Sequence, residues 1–257
     1  MTPPLAVPMI ELSGLTKRYG DGQTVLDSMN LTISKGEFVS LIGPSGCGKS
    51  TALKLISGLA VPTAGTITVD GMTPKNAREL ISFIFQDATL LPWRTVEQNV
   101  GLGLELEAVG NTRRKEKTSR LLELVGLETM ADAYPRELSG GMKMRVSIAR
   151  ALATSPRLLL MDEPFAALDE MSRDRLNEEL LRLREEQKWT AVFVTHSVAE
   201  AVFLSTRIVV LASNPGRIHA VLPIELPLPR TAAMRDSPEF EARVMQVTHA
   251  LRAALLQ

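Results

Sequence analysis

The chain has 257 residues, of which 45% are hydrophobic and 23% are charged, and its 29 Lys and Arg residues match its 29 Asp and Glu residues. This composition excludes collagen-like, low-complexity and largely disordered chains, and the length suits one large domain or one domain with an insertion. A formal net charge of zero argues against a broad nucleic-acid surface, and we expect no nucleic-acid partner. The single cysteine cannot form an internal disulfide, which is typical of a reducing compartment.

The chain carries no obvious signal for secretion or membrane insertion. The first ten residues contain three prolines and no basic residue, unlike a secretory signal peptide. No apolar run approaches the roughly 18 residues that span a bilayer. We therefore expect that any function at a membrane depends on docking onto another chain.

The N-terminal part of the sequence has the pattern of β structure, and a charged helical stretch follows it. Short apolar runs predict strands at 10–12, 31–33, 38–42 and 66–69, with turns at Asp21-Gly22 and Lys35-Gly36. From residue 96 to about 125 the pattern becomes helical and highly charged, which we interpret as a solvated helix surface.

Buried strands and helices alternate in the C-terminal half. Ser139 is a predicted cap for a helix that reaches residue 153, and apolar runs predict buried parallel strands at 158–161, 191–194 and 208–211. One helix has its core stripe at Leu176, Leu180 and Leu183, and a last helix begins at Ser237. The apolar face of the last helix comprises Phe240, Val244, Val247 and Leu251. The alternation predicts an α/β fold with a parallel core, into which residues of about 90–155 are inserted.

A glycine-rich segment between a predicted strand and a predicted helix fits the P-loop pattern. Its residues are Gly43, Pro44, Ser45, Gly46, Cys47, Gly48, Lys49, Ser50 and Thr51. Backbone N–H groups of such a loop and the helix N-terminus bind phosphates, with Lys49 reaching the β- and γ-phosphates and Ser50 offering a hydroxyl to Mg²⁺. The alternative is a glycine-rich turn with an unrelated lysine, but the flanking strand and helix favour the P-loop.

An acidic pair follows the strand predicted at 158–161. Asp162 is placed to hold the metal, and Glu163 to orient and deprotonate the attacking water. An acidic pair at a strand end is by itself more often a turn. Because ligands gather at the carboxyl ends of parallel strands, the pair and the P-loop together indicate one nucleotide site.

The segment Leu138-Ser139-Gly140-Gly141-Met142 lies between these two motifs, and with them the chain resembles the ATP-binding subunits of ABC transporters. The resemblance covers nearly the whole chain. It implies a P-loop NTPase core with a parallel sheet, an N-terminal antiparallel β subdomain and an inserted α-helical signature subdomain. It also implies one cassette over residues 9–235, with the helical subdomain at about 90–155, and a C-terminal helix over 237–257.

The resemblance assigns roles to further residues. Tyr19 matches the aromatic residue that stacks on adenine, and Gln86 matches the glutamine that senses Mg²⁺ and the γ-phosphate. Asp169, in Ala167-Leu168-Asp169, matches the D-loop, and His196 matches the switch histidine that contacts the γ-phosphate. Each residue alone is weak evidence, whereas six motifs in the family's order are strong evidence.

The resemblance also implies partners. A second phosphate-binding loop, Ser139, Gly140 and Gly141, is explained if it closes over the ATP of a neighbouring copy, which implies a head-to-tail homodimer. The family further implies an integral-membrane permease, an indirect partnership with a solute-binding protein, and a peripheral position on the cytoplasmic face of the membrane. The chain is similar to nitrate, sulfonate and taurine importers in residues 90–100 and 213–218 and at Met142. It differs from them at Met144, which replaces the usual glutamine.

Two local predictions concern the permease contact and the cysteine. Leu91, Pro92 and Trp93 have the composition of an interface anchor, so we expect the permease to dock there; the alternative is that Trp93 packs within its own helical subdomain. Cys47 lies beside Lys49 and the loop N–H groups, which predicts a favoured thiolate that MgATP protects. The alternative is a buried, inert loop cysteine.

The sequence leaves three functions open. The first is an ATPase that drives a solute importer, and the second is a soluble ABC-type ATPase acting on nucleic acid or ribosomes. The third is a regulatory module that binds nucleotide without hydrolysing it. The single cassette and zero net charge disfavour the second, and the presence of both Glu163 and His196 disfavours the third.

Overall fold

The computed structural model describes residues 8–20, 22–166 and 168–256. Along these residues the strands are β1 (Ile10–Tyr19), β2 (Gln23–Ile33), β3 (Phe38–Ile42), β4 (Ala64–Val69), β5 (Ile81–Ile84), β6 (Leu158–Asp162), β7 (Thr190–Val194), β8 (Arg207–Ala212) and β9 (Arg217–Pro223). The α-helices are α1 (Lys49–Ile56), α2 (Val96–Val100), α3 (Leu102–Leu106), α4 (Asn111–Leu124), α5 (Gly140–Ala153), α6 (Glu170–Gln187), α7 (Val198–Leu204) and α8 (Pro238–Ala254). The predictions that involve residues 1–7, Asp21, Ala167 or Gln257 concern residues outside the described ranges.

A mixed six-stranded sheet in the order β5-β6-β7-β3-β8-β9 forms the centre of the described chain. The first five strands are mutually parallel, and β9 pairs antiparallel with β8. Every residue of β3, β6 and β7 is buried, because helices or a second sheet cover both faces. The carboxyl ends of the five parallel strands therefore meet at one edge of the sheet.

A three-stranded antiparallel sheet, β2-β1-β4, packs over one face of the central sheet together with α1. Alternating side chains of β1 and β2 point into this layer, so Ile10, Leu12 and Ile33 are buried. The layer confirms the predicted antiparallel N-terminal part. It also holds the start of α1 against the central sheet, which positions the loop between β3 and α1.

Helices α6, α7 and α8 pack on the opposite face of the central sheet. The predicted stripe of α6 is confirmed, because Leu176, Leu180 and Leu183 are all buried. On α8, which Ser237 caps, the predicted face also points inward: Phe240 and Val247 are buried.

The helical pattern predicted from residue 96 to about 125 is divided among three helices. It forms α2, α3 and α4, with Gly101 ending α2 and preceding α3. Ala108 adopts a left-handed conformation with φ of 57° between α3 and α4. Glycine and a left-handed residue each interrupt helical geometry, so the chain turns twice here.

Arg230 anchors the segment after β9 to α7. The side chain is 5% exposed, and its Nη1 donates to the carbonyl oxygens of Val202, Phe203 and Ser205 at 3.0, 2.8 and 2.8 Å. Burial lowers the pKa of Arg230 to about 10, so the guanidinium remains charged at neutral pH. It caps the C-terminal end of α7, where backbone carbonyls lack helical partners.

We expect Arg230→Met to lower the free energy of unfolding by about 2–3 kcal/mol, because several buried carbonyls lose their donor. Arg230→Lys should restore only part of this loss, because an ammonium lacks the planar fork of donors. Urea unfolding measures both variants, with Arg252→Met at an exposed position of α8 as the control. An Arg230→Met chain as stable as the control would contradict the capping role.

Candidate functional site

Residues singled out by the sequence follow four neighbouring strands at the same edge of the central sheet. Gln86 follows β5, Asp162 ends β6 and Glu163 comes directly after it, and His196 follows β7. The loop 43–48 leaves β3, the fourth strand of this group, and leads into α1. Side chains far apart in the sequence are thus brought to one edge, which is where ligands bind in parallel sheets.

The backbone of the loop between β3 and α1 requires glycine at two positions. Gly48 caps α1 with φ of 93°, and a Cβ there would lie 2.5 Å from Leu26 Cδ2. A Cβ on Gly43 would lie 2.7 Å from the carbonyl oxygen of Leu211. The first turn of α1 contains no acidic residue, so no side-chain carboxylate in it competes with an anion at this helix N-terminus.

Lys49 lies inside this loop. Its Nζ donates to the carbonyl oxygens of Gly43 at 2.9 Å and Pro44 at 3.0 Å, and the residue is 8% exposed. These two bonds hold the ammonium group within the turn of the loop, beside the helix N-terminus. The loop therefore combines a fixed positive charge with backbone N–H groups, the combination that binds a polyphosphate.

Ser50 and Asp162 form a pair of hard oxygen donors next to Lys49. Ser50 Oγ donates to Asp162 Oδ1 at 2.9 Å, and Asp162 is 6% exposed. Burial raises the pKa of the Asp162 carboxyl; the neighbouring Glu163 adds to this rise, while the Ser50 bond opposes it. A divalent cation would favour the charged carboxylate, and a hydroxyl with one carboxylate fits Mg²⁺, which completes its shell with phosphate and water oxygens.

The described residues contain no separate metal-binding cluster. No group of three or more His, Cys, Asp or Glu side chains is arranged to hold a metal ion within 8–20, 22–166 and 168–256.

Glu163 and His196 face each other beside this pair. Glu163 has a left-handed backbone with φ of 49°, and its N–H donates to the carbonyl of Val194 at 2.9 Å. The Glu163 Oε2 atom lies 3.5 Å from His196 Nδ1, with the two side chains 24% and 68% exposed. A left-handed non-glycine residue costs roughly 1–2 kcal/mol, and such strain clusters at functional sites. The arrangement directs a carboxylate toward the surface next to a histidine.

The other predicted residues lie at the surface. Ser139 caps α5 and accepts a bond from Met142 N at 3.2 Å; Asp169 caps α6 and accepts one from Ser172 N at 2.9 Å. Their side-chain hydrogen bonds are within their own helices, and Ser172 lowers the pKa of Asp169. Gln86 is exposed, and Tyr19 is 49% exposed at the end of β1. The structure brings Lys49, Ser50, Asp162, Glu163 and His196 together and leaves these four outside that cluster.

Two residues that the sequence did not single out fix the segment after Gln86. Asn99 is fully buried; it accepts from Leu91 N at 2.8 Å and donates to three carbonyls of residues 91–95. Arg150 on α5 donates to the carbonyls of Ala88 and Thr89. The helix capped by Ser139 is thus bonded to the segment that follows Gln86.

The expectation of a favoured Cys47 thiolate is wrong. Cys47 is 1% exposed, and burial raises the pKa of its thiol despite Lys49 Nζ at 3.9 Å, which acts in the opposite direction. The loop amides and the lysine were visible in the sequence, but the packing that removes water from the sulfur was not.

We expect a maleimide at neutral pH to react with Cys47 at least about tenfold more slowly in the folded chain than in guanidinium chloride. MgATP should change the folded rate little, because the sulfur is already covered by protein. Since the chain has one cysteine, loss of free thiol reports this residue alone. Fast labelling of the folded chain that MgATP blocks would contradict the buried placement.

Within the described ranges, none of the helices is both long enough and apolar enough to cross a membrane.

Comparisons with known proteins agree with this arrangement. A family model described as ABC transporter matches residues 26–166. A putative ATP-binding protein of Brucella abortus is 46% identical over 244 residues, covering 95% of this chain and 94% of that protein. The aliphatic sulfonates import ATP-binding protein SsuB of Bacillus cereus is 43% identical, covering 92% of this chain and 94% of that protein.

A solved structure gives the same result for the fold. The dimeric, post-hydrolysis form of the ATP-binding cassette MJ0796, bound to ADP and Pi, superposes with a TM-score of 0.79. It is 35% identical and covers 85% of this chain and 100% of that chain. The family match, the relatives and the shared fold together show that this chain belongs to the ABC transporter family of ATP-binding subunits and is an ATP-hydrolysing cassette.

Proposed function

We propose that this cassette hydrolyses ATP to drive import of a small solute, with an aliphatic sulfonate as the first candidate. Hydrolysis takes place at the cluster formed by Lys49, Ser50, Asp162, Glu163 and His196. The observation that supports the chemistry is the juxtaposition of Ser50, Asp162, Glu163 and His196. The solute class is supported by relatives from two Bacillus species that are named aliphatic sulfonates import ATP-binding proteins and are 42–45% identical. Nitrate and taurine remain the related solutes suggested by residues 90–100.

The residues of the site have separate roles in the proposed hydrolysis. Lys49 and the loop amides bind the β- and γ-phosphates, and Tyr19 stacks on adenine. Ser50 and Asp162, with Gln86, would hold Mg²⁺, which neutralises phosphate charge when bound. Glu163 takes a proton from the attacking water, and His196 contacts the γ-phosphate. The bond from Glu163 N to Val194 fixes the base relative to β7, which limits the reorganisation needed for reaction.

We also propose that the site is completed by a second copy of the chain. Ser139, Gly140 and Gly141 lie at the exposed start of α5, whose first turn contains no acidic residue. A 14-residue helix presents an N-terminus that attracts phosphate, yet its cap is bonded only within α5. A neighbour's γ-phosphate suits this position, and the MJ0796 cassette is itself described as dimeric.

A membrane permease is the proposed partner at Leu91, Pro92 and Trp93. Trp93 is 70% exposed, which argues against the alternative that it packs within its own helical region. Asn99 holds the backbone on both sides of it, so the indole is displayed on a fixed loop. We place the cassette, over residues 9–235 with a helical subdomain at about 90–155, peripherally on the cytoplasmic face, and a solute-binding protein would act through the permease.

Trp93→Ala is expected to leave ATP affinity of the isolated chain unchanged but to weaken assembly with the permease by at least about tenfold, as loss of an aromatic anchor does. Co-purification of tagged permease with each variant measures the effect. Met171→Ala, at an exposed apolar residue of α6, serves as the matched control. Wild-type assembly by Trp93→Ala would remove Trp93 from the interface.

The solute is tested by deleting the gene for this chain in its host. We expect loss of growth on alkanesulfonate as the sole sulfur source, with growth on sulfate retained. Wild-type chain should restore growth and Glu163→Gln should not. Unchanged growth and uptake on sulfonates would contradict the proposed solute, and nitrate and taurine uptake would then be measured in the same strain.

A further inference from the structure

A buried carboxylate outside the proposed catalytic residues lies directly behind His196. Glu200, in the first turn of α7, is 5% exposed, and its Oε2 accepts a bond from Thr195 Oγ1 at 2.6 Å. Thr195 is 2% exposed, and its hydroxyl also accepts from Ser197 N at 3.0 Å. The Thr195 hydroxyl therefore connects Ser197, on the other side of His196, to the Glu200 carboxylate. His196 itself is exposed.

The other oxygen of this carboxylate faces a different loop. Glu200 Oε1 lies 3.2 Å from Arg173 Nε on α6, and Arg173 Nη2 donates to the carbonyl of Leu168 at 3.1 Å. Leu168 directly precedes Asp169, the cap of α6. A continuous set of contacts thus runs from Leu168 through Arg173, Glu200 and Thr195 to His196, joining two loops that the sequence separates.

The groups around Glu200 affect the charge of its buried carboxylate. Burial raises the pKa of Glu200, while the Thr195 bond and the nearby Arg173, His196 and Arg235 act in the opposite direction. Arg235 pairs with Asp174 at 2.9 Å, which leaves Arg173 as the cation in ion-pair contact with Glu200. A buried charge costs free energy unless it is paired, and Arg173 and the Thr195 hydroxyl are the partners of Glu200 here.

We propose that Glu200 is a positioning residue for ATP hydrolysis: it holds the His196 loop and the Leu168–Asp169 loop in one fixed relative arrangement. The inference rests on the role proposed for His196 and on the match of Asp169 to the D-loop of the family. The 3.5 Å approach of His196 to Glu163 depends on where the loop after β7 lies. A small displacement of a reacting group lowers a rate strongly, whereas the phosphate contacts of Lys49 and Ser50 are untouched. The network should therefore act on kcat and leave nucleotide affinity unchanged.

The test compares steady-state ATP hydrolysis by the full chain and five variants. We expect Glu200→Gln, Arg173→Met and Thr195→Val each to lower kcat by about tenfold with KM for ATP within about twofold. Thr195→Ser keeps the hydroxyl and should restore kcat to within about threefold of the original. The double variant Glu200→Gln/Arg173→Met should lose no more than either single variant, because the two side chains act as one unit.

A matched pair on the same helix provides the control. Glu179 and Arg182 on α6 form an ion pair at 2.9 Å that contacts neither loop through a hydrogen bond, so Glu179→Gln and Arg182→Met should leave kcat within about twofold. If Glu200→Gln does not fold, the comparison of Thr195→Val with Thr195→Ser decides. Wild-type kcat in Thr195→Val, or equal losses in both Thr195 variants, would overturn the inference.

His196→Ala separates this inference from the proposed site. Near-normal hydrolysis by His196→Ala would refute the role of His196 itself. An inactive His196→Ala together with fully active Glu200→Gln and Thr195→Val would refute only the positioning role of Glu200.

Discussion

Glu163→Gln is expected to lower kcat for ATP hydrolysis by at least about a hundredfold while leaving ATP binding in place, because general base catalysis supplies a factor of this size. The substitution keeps the size of the side chain and its hydrogen-bonding oxygen but removes the proton acceptor that faces His196. The contacts of Lys49 and the Ser50–Asp162 pair do not involve the Glu163 side chain, so the nucleotide should still bind.

Because binding continues and hydrolysis does not, the variant should accumulate with ATP as a dimer. Phosphate release measures turnover, and light scattering after size-exclusion chromatography measures the dimer. Glu185→Gln, at an exposed position on α6, is the matched control and should behave as the original chain does. Turnover by Glu163→Gln near that of the control would exclude Glu163 as the base.

Lys49→Ala is expected to weaken ATP binding, the step before hydrolysis. It should raise the dissociation constant for ATP by about a hundredfold, since contacts of an ammonium to phosphate oxygens are charge-assisted. The lysine also bonds the carbonyls of Gly43 and Pro44, so its removal loosens the loop that presents the backbone amides. Equilibrium binding of a fluorescent ATP analogue measures the change, with Lys115→Ala on α4 as an exposed control. Lys49→Ala binding as tightly as the control would contradict the phosphate role.

The central strands and the helix caps could be predicted from the sequence because their signals are local. β3 occupies the predicted residues, and β6 and β7 match the predicted runs to within one residue. The capping of α5 by Ser139 follows from a serine before a helical pattern. The strands that the sequence did not reveal, β5 and β9, are the two edge strands of the central sheet. Most of their residues are only partly buried or exposed, and Ser82 in β5 and His219 in β9 interrupt the apolar runs.

Some residues of the site could be predicted from local sequence signals, and others could not. Lys49, Ser50, Asp162 and Glu163 stand in motifs whose spacing carries chemical meaning. Asn99, Arg173 and Glu200 do not, because each acquires its role from partners that only the folded chain brings near. Cys47 shows the converse error: its sequence neighbours suggested an activated thiol, and burial gives the opposite pKa shift.

The shared dimeric site is tested most directly at Ser139, because its capping bond to Met142 N can be kept while its charge is changed. Asp and Asn cap helices about as well as Ser, but only Asp would place a negative charge against a neighbour's phosphate. In the Glu163→Gln background with MgATP, we expect Ser139→Asn to form the dimer and Ser139→Asp to bind ATP but stay monomeric by light scattering. A Ser139→Asp chain that dimerises as its parent does, or that loses ATP affinity as Lys49→Ala does, would contradict a site completed by a second copy.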